Sequence, residues 1–132
     1  MTKNLKTVST AEYDAVVAQV MKYVNGLLSG KSKEVATAFH KDAIMYGMTG
    51  GPSSELLGGP ISNLYDFVDK NGSAPNIAVR LDVLAITQTT AVVRVDMERD
   101  ALDADYTDFH TLIKLDGKWN IVAKVFHKYD SE

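Results

Sequence analysis

The chain has 132 residues, 45% of them apolar, and carries 14 Lys and Arg against 17 Asp and Glu for a net charge of −3. That length suits one domain with a single core, and the lack of a basic excess argues against nucleic acid as a partner. Cysteine is absent, which excludes a disulfide framework, a thiol nucleophile and a cysteine metal site. No apolar run is long enough to span a bilayer, and the opening MTKNLKTVSTAEYD lacks the apolar stretch of a signal peptide. A soluble, cytoplasmic protein with no membrane partner is expected.

Residues 1–9 are polar and aperiodic and read as a flexible arm before a single domain over 10–130. Ser9 to Glu12 has the spacing of a capping box. Val16, Val20, Val24 and Leu27 then recur at helical spacing, with Tyr23 beside them and Gly30 as the stop, so a first helix of about five turns is predicted. Ser32 is expected to cap a short second helix that turns Val35, Ala38 and Phe39 inward. His40-Lys41-Asp42 breaks the pattern, and the following AIMYGM reads as a short strand. The glycine- and serine-rich stretch from Thr49 to Pro60 is a loop around a short strand at Glu55-Leu56-Leu57. Pro60 suits the first turn of a third helix, which carries Ile61, Leu64, Tyr65 and Val68 and ends at Asn71-Gly72.

Beyond Pro75 the period changes to that of strands. NIAVRLDVLAIT, TAVVRVDMER, DYTDFHTLIKL and KWNIVAKVFHKY form a predicted four-strand antiparallel meander, with Asp116-Gly117 as a two-residue hairpin turn. The whole is α+β, with three N-terminal helices packed on one face of a curved sheet.

The last hairpin fixes where chemistry falls. With Asp116-Gly117 as the loop and strict alternation, His110 pairs with Ala123 and Tyr106 with His127. One face then carries Tyr106, Asp108, His110 and Leu112 beside Ile121, Ala123, Val125 and His127, with Trp119 and Tyr129. Asp108 and His110 are candidate catalytic groups, because a carboxylate beside an imidazole holds one tautomer and steadies its charged form. The commoner role of two such residues is a buried hydrogen-bonded pair that fixes helix-to-sheet packing. Tyr23, Tyr46, Tyr106 and His127 are candidate ligand contacts, against ordinary core and rim roles for the same side chains. The three histidines lie on separate elements without metal-ligand spacing, so no metal is expected. No cofactor loop or acyl-transfer motif occurs, so no cofactor is expected either. Arg94, Asp96 and Glu98 read as a solvated charged row. The second sheet face is also partly apolar, which points to a homodimer.

The order of elements, the phrase FHKDAIMYG over residues 39–47 and the closing LDGKWNIV over 115–122 resemble the nuclear transport factor 2-like superfamily. Ketosteroid isomerase, scytalone dehydratase and SnoaL-like cyclases belong to it. The stretches Tyr106-Thr107-Asp108 through Lys124-Val125-Phe126-His127 are similar to its lumazine-binding branch. The resemblance implies a cone-shaped α+β barrel, also described as a cystatin-like roll, with a cavity between sheet and helices, in a homodimer. In the run from Met21 to Gly47, Tyr23 matches the oxyanion-stabilising tyrosine of ketosteroid isomerase, whereas its catalytic aspartate falls at Gly47. Three functions follow. The first is a domain that binds a small hydrophobic or aromatic molecule. The second is a lyase, isomerase or cyclase that uses Asp108 or His110 as base, with Tyr23 or Tyr46 donating to an oxyanion. The third is a dimeric protein-interaction module.

Overall fold

The structure is a computed structural model that describes residues 3–131. Residues 1 and 2 of the expected arm lie outside the described residues. Residues 3–9 form no regular element, and the Thr7 carbonyl accepts from the Gln88 side chain at 2.8 Å.

Helix α1 spans Thr10–Ser29, as its apolar spacing predicts. Ser9 accepts the Glu12 amide at its Oγ, and Gly30, at φ 72°, closes the helix by donating to the Gly26 and Leu27 carbonyls. The Glu12 carboxylate does not complete the capping box. It accepts from Lys114 Nζ at 2.7 Å and Trp119 Nε1 at 3.0 Å, which ties the start of α1 to the end of the last hairpin. Helix α2 covers Ser32–Ala36. Lys31 holds its N-cap position with no side-chain cap, so Ser32 is the first helical residue rather than the cap.

Strand β1 runs over Phe39–Met48 and includes His40-Lys41-Asp42, which the sequence reading leaves out of the strand. Strand β2 is Leu56–Pro60, and helix α3 is Ser62–Asn71. Pro60 thus ends a strand instead of opening a helix. An edge strand tolerates proline, and the next amide, that of Ile61, is held by the Ala43 carbonyl at 2.9 Å. The meander follows as β3 (Ala78–Ile86), β4 (Thr90–Glu98), β5 (Tyr106–Leu115) and β6 (Lys118–Lys128).

The six strands form one sheet in the order β2-β1-β6-β5-β4-β3. Every neighbouring pair is antiparallel except β1 and β6, which run parallel. The chain is α+β, with the helices on the inner face of the sheet. Val16, Val20 and Val24 of α1 pack in one core with Val93, Val95, Leu112 and Ile121. Each such side chain contributes about 1.5–3 kcal/mol on burial. Among the described residues no helix is long and apolar enough to cross a membrane.

The outer face is unlike the inner one. Ile44, Tyr46, Met48, Phe109 and Val125 stand there between 40% and 49% exposed. Arg94 pairs with Asp96 on the same face at 3.1 Å, so the charged row is part of it.

Candidate functional site

The β5–β6 hairpin begins as its turn dictates, with Leu115 opposite Lys118 and Leu112 opposite Ile121. The register then slips, because Thr111 pairs with Ala123 and leaves Val122 as an extra residue in β6. A bulge of this kind moves every later side chain of the strand to the opposite face. His110 therefore pairs with Lys124, Asp108 with Phe126 and Tyr106 with Lys128. Strict alternation puts Ala123, Val125 and His127 beside His110, and the bulge replaces them with Lys124 and Phe126.

This slip corrects the expected face. His127 pairs with Thr107 and stacks edge-on against Tyr129, 4.9 Å between ring centroids, on the outer side of the sheet. Tyr129 is there as well, its hydroxyl 2.8 Å from Thr107 Oγ1. Tyr46 is also on the outer face, opposite Val125 in β6, with its ring over Gly58 of β2. These positions keep Tyr46 and His127 away from the inner site. Tyr23, Tyr106, Asp108, His110 and Trp119 do face inward. Lys124 is the residue that sequence reasoning missed.

Four of the inward groups meet. Tyr23, from the buried stripe of α1, donates its hydroxyl to Asp108 Oδ2 at 3.0 Å. His110 Nε2 lies 3.3 Å from the same oxygen and Lys124 Nζ 3.9 Å from it. Asp108 is 1% exposed and His110 fully buried. The Lys124 ammonium also sits 4.4 Å over the Phe126 ring and 3.6 Å from Met45 Sδ. Asp108 Oδ1 and His110 Nδ1 are buried without a partner.

The protonation states follow from these contacts. Burial acts to raise the Asp108 carboxyl, but Lys124, His110 and Tyr23 together outweigh it and hold the group below its usual value. Asp108 is then an anion, so His110 must donate through Nε2, and its bare acceptor is Nδ1. Burial pushes the His110 imidazolium down against the pull of Asp108. Burial likewise lowers the Lys124 ammonium, with Asp108 opposing, and raises the Tyr23 phenol well above its usual value.

A pocket of about 330 Å³ opens beside this cluster, between the sheet, α1, α3 and the Asp100–Leu102 turn. Leu27, Leu64, Val68, Met97 and Phe126 give it an apolar wall, and Tyr23, Tyr106 and Lys124 give it polar points. Burial and the nearby Asp100 raise the Tyr106 phenol. Asp108 and His110 do not line the pocket; they stand behind Tyr23 and Lys124.

Gly47 explains the departure from ketosteroid isomerase physically. It pairs with Phe126, and a Cβ at Gly47 would collide with that ring. The phenylalanine occupies the space that a side chain at position 47 needs. Among the described residues no group of three His, Asp or Glu gathers as metal ligands would. His40 is turned to its own strand, where Nδ1 accepts the Asp42 amide.

A family model described as "Putative lumazine-binding" matches residues 11–127. The chain belongs to that family, within the nuclear transport factor 2-like superfamily. The lumazine-binding match covers both the Tyr23 helix and the Lys124 strand. A relative named "Aldolase FrzH", from Cladobotryum sp, is 44% identical over 124 residues, 94% of this chain and 97% of its own. A solved NTF2-like protein of unknown function from Methylobacillus flagellatus superposes with a TM-score of 0.87 at 36% identity, over 97% of this chain and 100% of that one. Another, from Shewanella baltica, gives 0.85 at 31% identity over 95% and 99%. A ketosteroid isomerase-like protein from Erwinia carotovora atroseptica shares the fold, with a TM-score of 0.69 at 17% identity over 93% of this chain and 100% of its own.

Proposed function

We propose that this chain binds a small, flat, largely apolar carbonyl compound in the inner pocket and acts on the carbon next to the carbonyl, as aldol-type chemistry requires. The observation that carries the reading is the placement of Tyr23 and Lys124 in a largely apolar pocket, backed by the buried Asp108 and His110. A developing oxyanion needs a donor in a dry site, and the Lys124 ammonium supplies one. Removing a proton from carbon needs a base, and the Asp108 carboxylate is held ionised behind them. The relative named as an aldolase supports an enzyme over a passive binding domain. Gly47 supports a route other than that of ketosteroid isomerase, because the position carries no base.

Phenylacetone in deuterium oxide tests the proposal. The protein should speed exchange of the hydrogens beside the carbonyl above the buffer rate, read by proton NMR. Exchange at the buffer rate, at protein concentrations where the ketone perturbs resonances of the pocket residues, would leave a binding domain without turnover.

The same reading includes a homodimer built through the outer sheet face. The exposed row Ile44, Tyr46, Phe109 and Val125 supports it, since a contiguous apolar strip on a sheet is ordinarily covered.

A further inference from the structure

Lys124 has two features that a structural lysine does not need. It lines the pocket, yet its Nζ makes no hydrogen bond to an oxygen among the described residues. Its Nζ lies 3.6 Å from Met45 Sδ and 3.9 Å from Asp108 Oδ2. It is also the only member of the buried cluster brought in by a bulge rather than by the regular strand register. We infer that Lys124 is a covalent nucleophile, which forms a Schiff base with the carbonyl carbon of the bound compound. This inference rests on the reading of the pocket given above and specifies how that pocket activates its substrate.

The atoms balance within the site. The Lys124 ammonium gives one proton to Asp108 and becomes a free amine. Its lone pair bonds to the carbonyl carbon, and the carbon–oxygen π pair moves to oxygen. That oxygen takes one proton from the nitrogen and a second from Asp108, relayed by the Tyr23 hydroxyl, and leaves as water. The nitrogen lone pair then closes the carbon–nitrogen double bond. In sum, ammonium and ketone become iminium and water, with no proton gained or lost overall. Asp108, again a carboxylate, then takes up a proton from the neighbouring carbon by way of the Tyr23 oxygen; the C–H pair forms the carbon–carbon double bond, the iminium π pair returns to nitrogen, and the product is an enamine, the carbon nucleophile of an aldol step.

The surroundings suit each part of this step. Burial lowers the Lys124 ammonium, which brings the free amine closer to neutrality. Tyr23 lines the pocket with its hydroxyl 3.0 Å from Asp108 Oδ2, and once Asp108 holds the Lys124 proton this hydrogen bond reverses and the phenolic proton turns to the substrate oxygen. Phe126 and Met45 flank the amine without competing for its lone pair.

The test is reduction of the adduct. Wild-type protein is incubated with phenylacetone and borohydride, digested and mapped by mass spectrometry. The expected result is a reduced secondary amine at Lys124, formed ahead of any at the surface lysines. Lys124→Arg, which keeps the positive charge beside Asp108 but forms no Schiff base, should lose deuterium exchange by about tenfold or more. Circular dichroism in the aromatic region checks that this variant folds. The labelling of wild-type protein decides the matter even if it does not fold. Exchange without trapped Lys124, or exchange that survives Lys124→Arg, overturns the Schiff base and leaves the pocket reading standing, with Lys124 as a fixed charge. Neither exchange nor trapping overturns both.

Discussion

Lys124 stands directly across the β5–β6 ladder from His110. The two share Asp108 as their neighbour, His110 at 3.3 Å and Lys124 at 3.9 Å from one carboxylate oxygen. A cation, an anion and a neutral imidazole are thus held together out of water, and each depends on the others for the cost of its burial.

That dependence is measurable. Lys124→Met leaves the Asp108 carboxylate buried without its cation, a loss of about 3 kcal/mol. Lys124→Met combined with Asp108→Asn removes the orphaned charge and should recover more than half of that loss. Urea unfolding of both variants checks the coupling. Equal midpoints for the single and double variants would mean that the pair contributes nothing to stability.

The pH dependence has a definite sign. Burial lowers His110 in the folded protein below its ordinary value of about 6.5, so the unfolded chain binds more protons in that range. Stability should be full above about pH 6.5 and fall as the pH drops through the lowered folded value. Asp108, also lowered in the folded state, adds a second loss of the same sign below about pH 4. Thermal melts from pH 8 to pH 3 should show both limbs, and His110→Asn should abolish only the upper one.

Gly47 gives a steric prediction. In Gly47→Ala the new methyl meets the Phe126 ring, and the strain should cost about 1–3 kcal/mol. Phe126→Leu shortens the opposing side chain, so the double variant should be more stable than the sum of the two single losses predicts. Additive losses would show that the contact is not the cause.

The outer face gives a prediction about assembly. Val125→Glu puts a charge in the middle of the exposed apolar row and touches neither the pocket nor the buried cluster. Light scattering coupled to gel filtration should read a dimer for the unchanged protein and a monomer for the variant. A monomer in both would remove the sheet face as a self-association surface.

The elements were legible because their signals are local. The spacing of Val16, Val20 and Val24, the stop at Gly30 and the Asp116-Gly117 turn each act over a few residues, and all lie where they were expected. Asp108 and His110 were legible as neighbours on one sheet face, since alternation along β5 is unbroken from Tyr106 to Leu112, but the hydrogen bond that brings Tyr23 of α1 to Asp108 was not. Lys124 was not. One extra residue at Val122 reverses the strand, and the run Ile121-Val122-Ala123, apolar on three successive residues, is the only local trace of it. The same slip carried His127 to the outer face. Pro60 was misread because a proline beside an edge strand and a proline opening a helix have the same neighbours in sequence.

The position of β6 has a consequence for the order of events in folding. It is the last strand in the chain, yet it lies in the middle of the sheet, between β1 and β5. Until it is in place, the β1–β2 pair and the β3–β4–β5 meander have no hydrogen-bonded connection to one another. Its parallel pairing with β1 joins positions such as Tyr46 and Val125, 79 residues apart in sequence, and contacts of that separation form slowly. During synthesis, therefore, the helices and the first five strands emerge before the sheet can close. Lys124 arrives on the closing strand, so the pocket acquires its amine in the same late step that completes the fold.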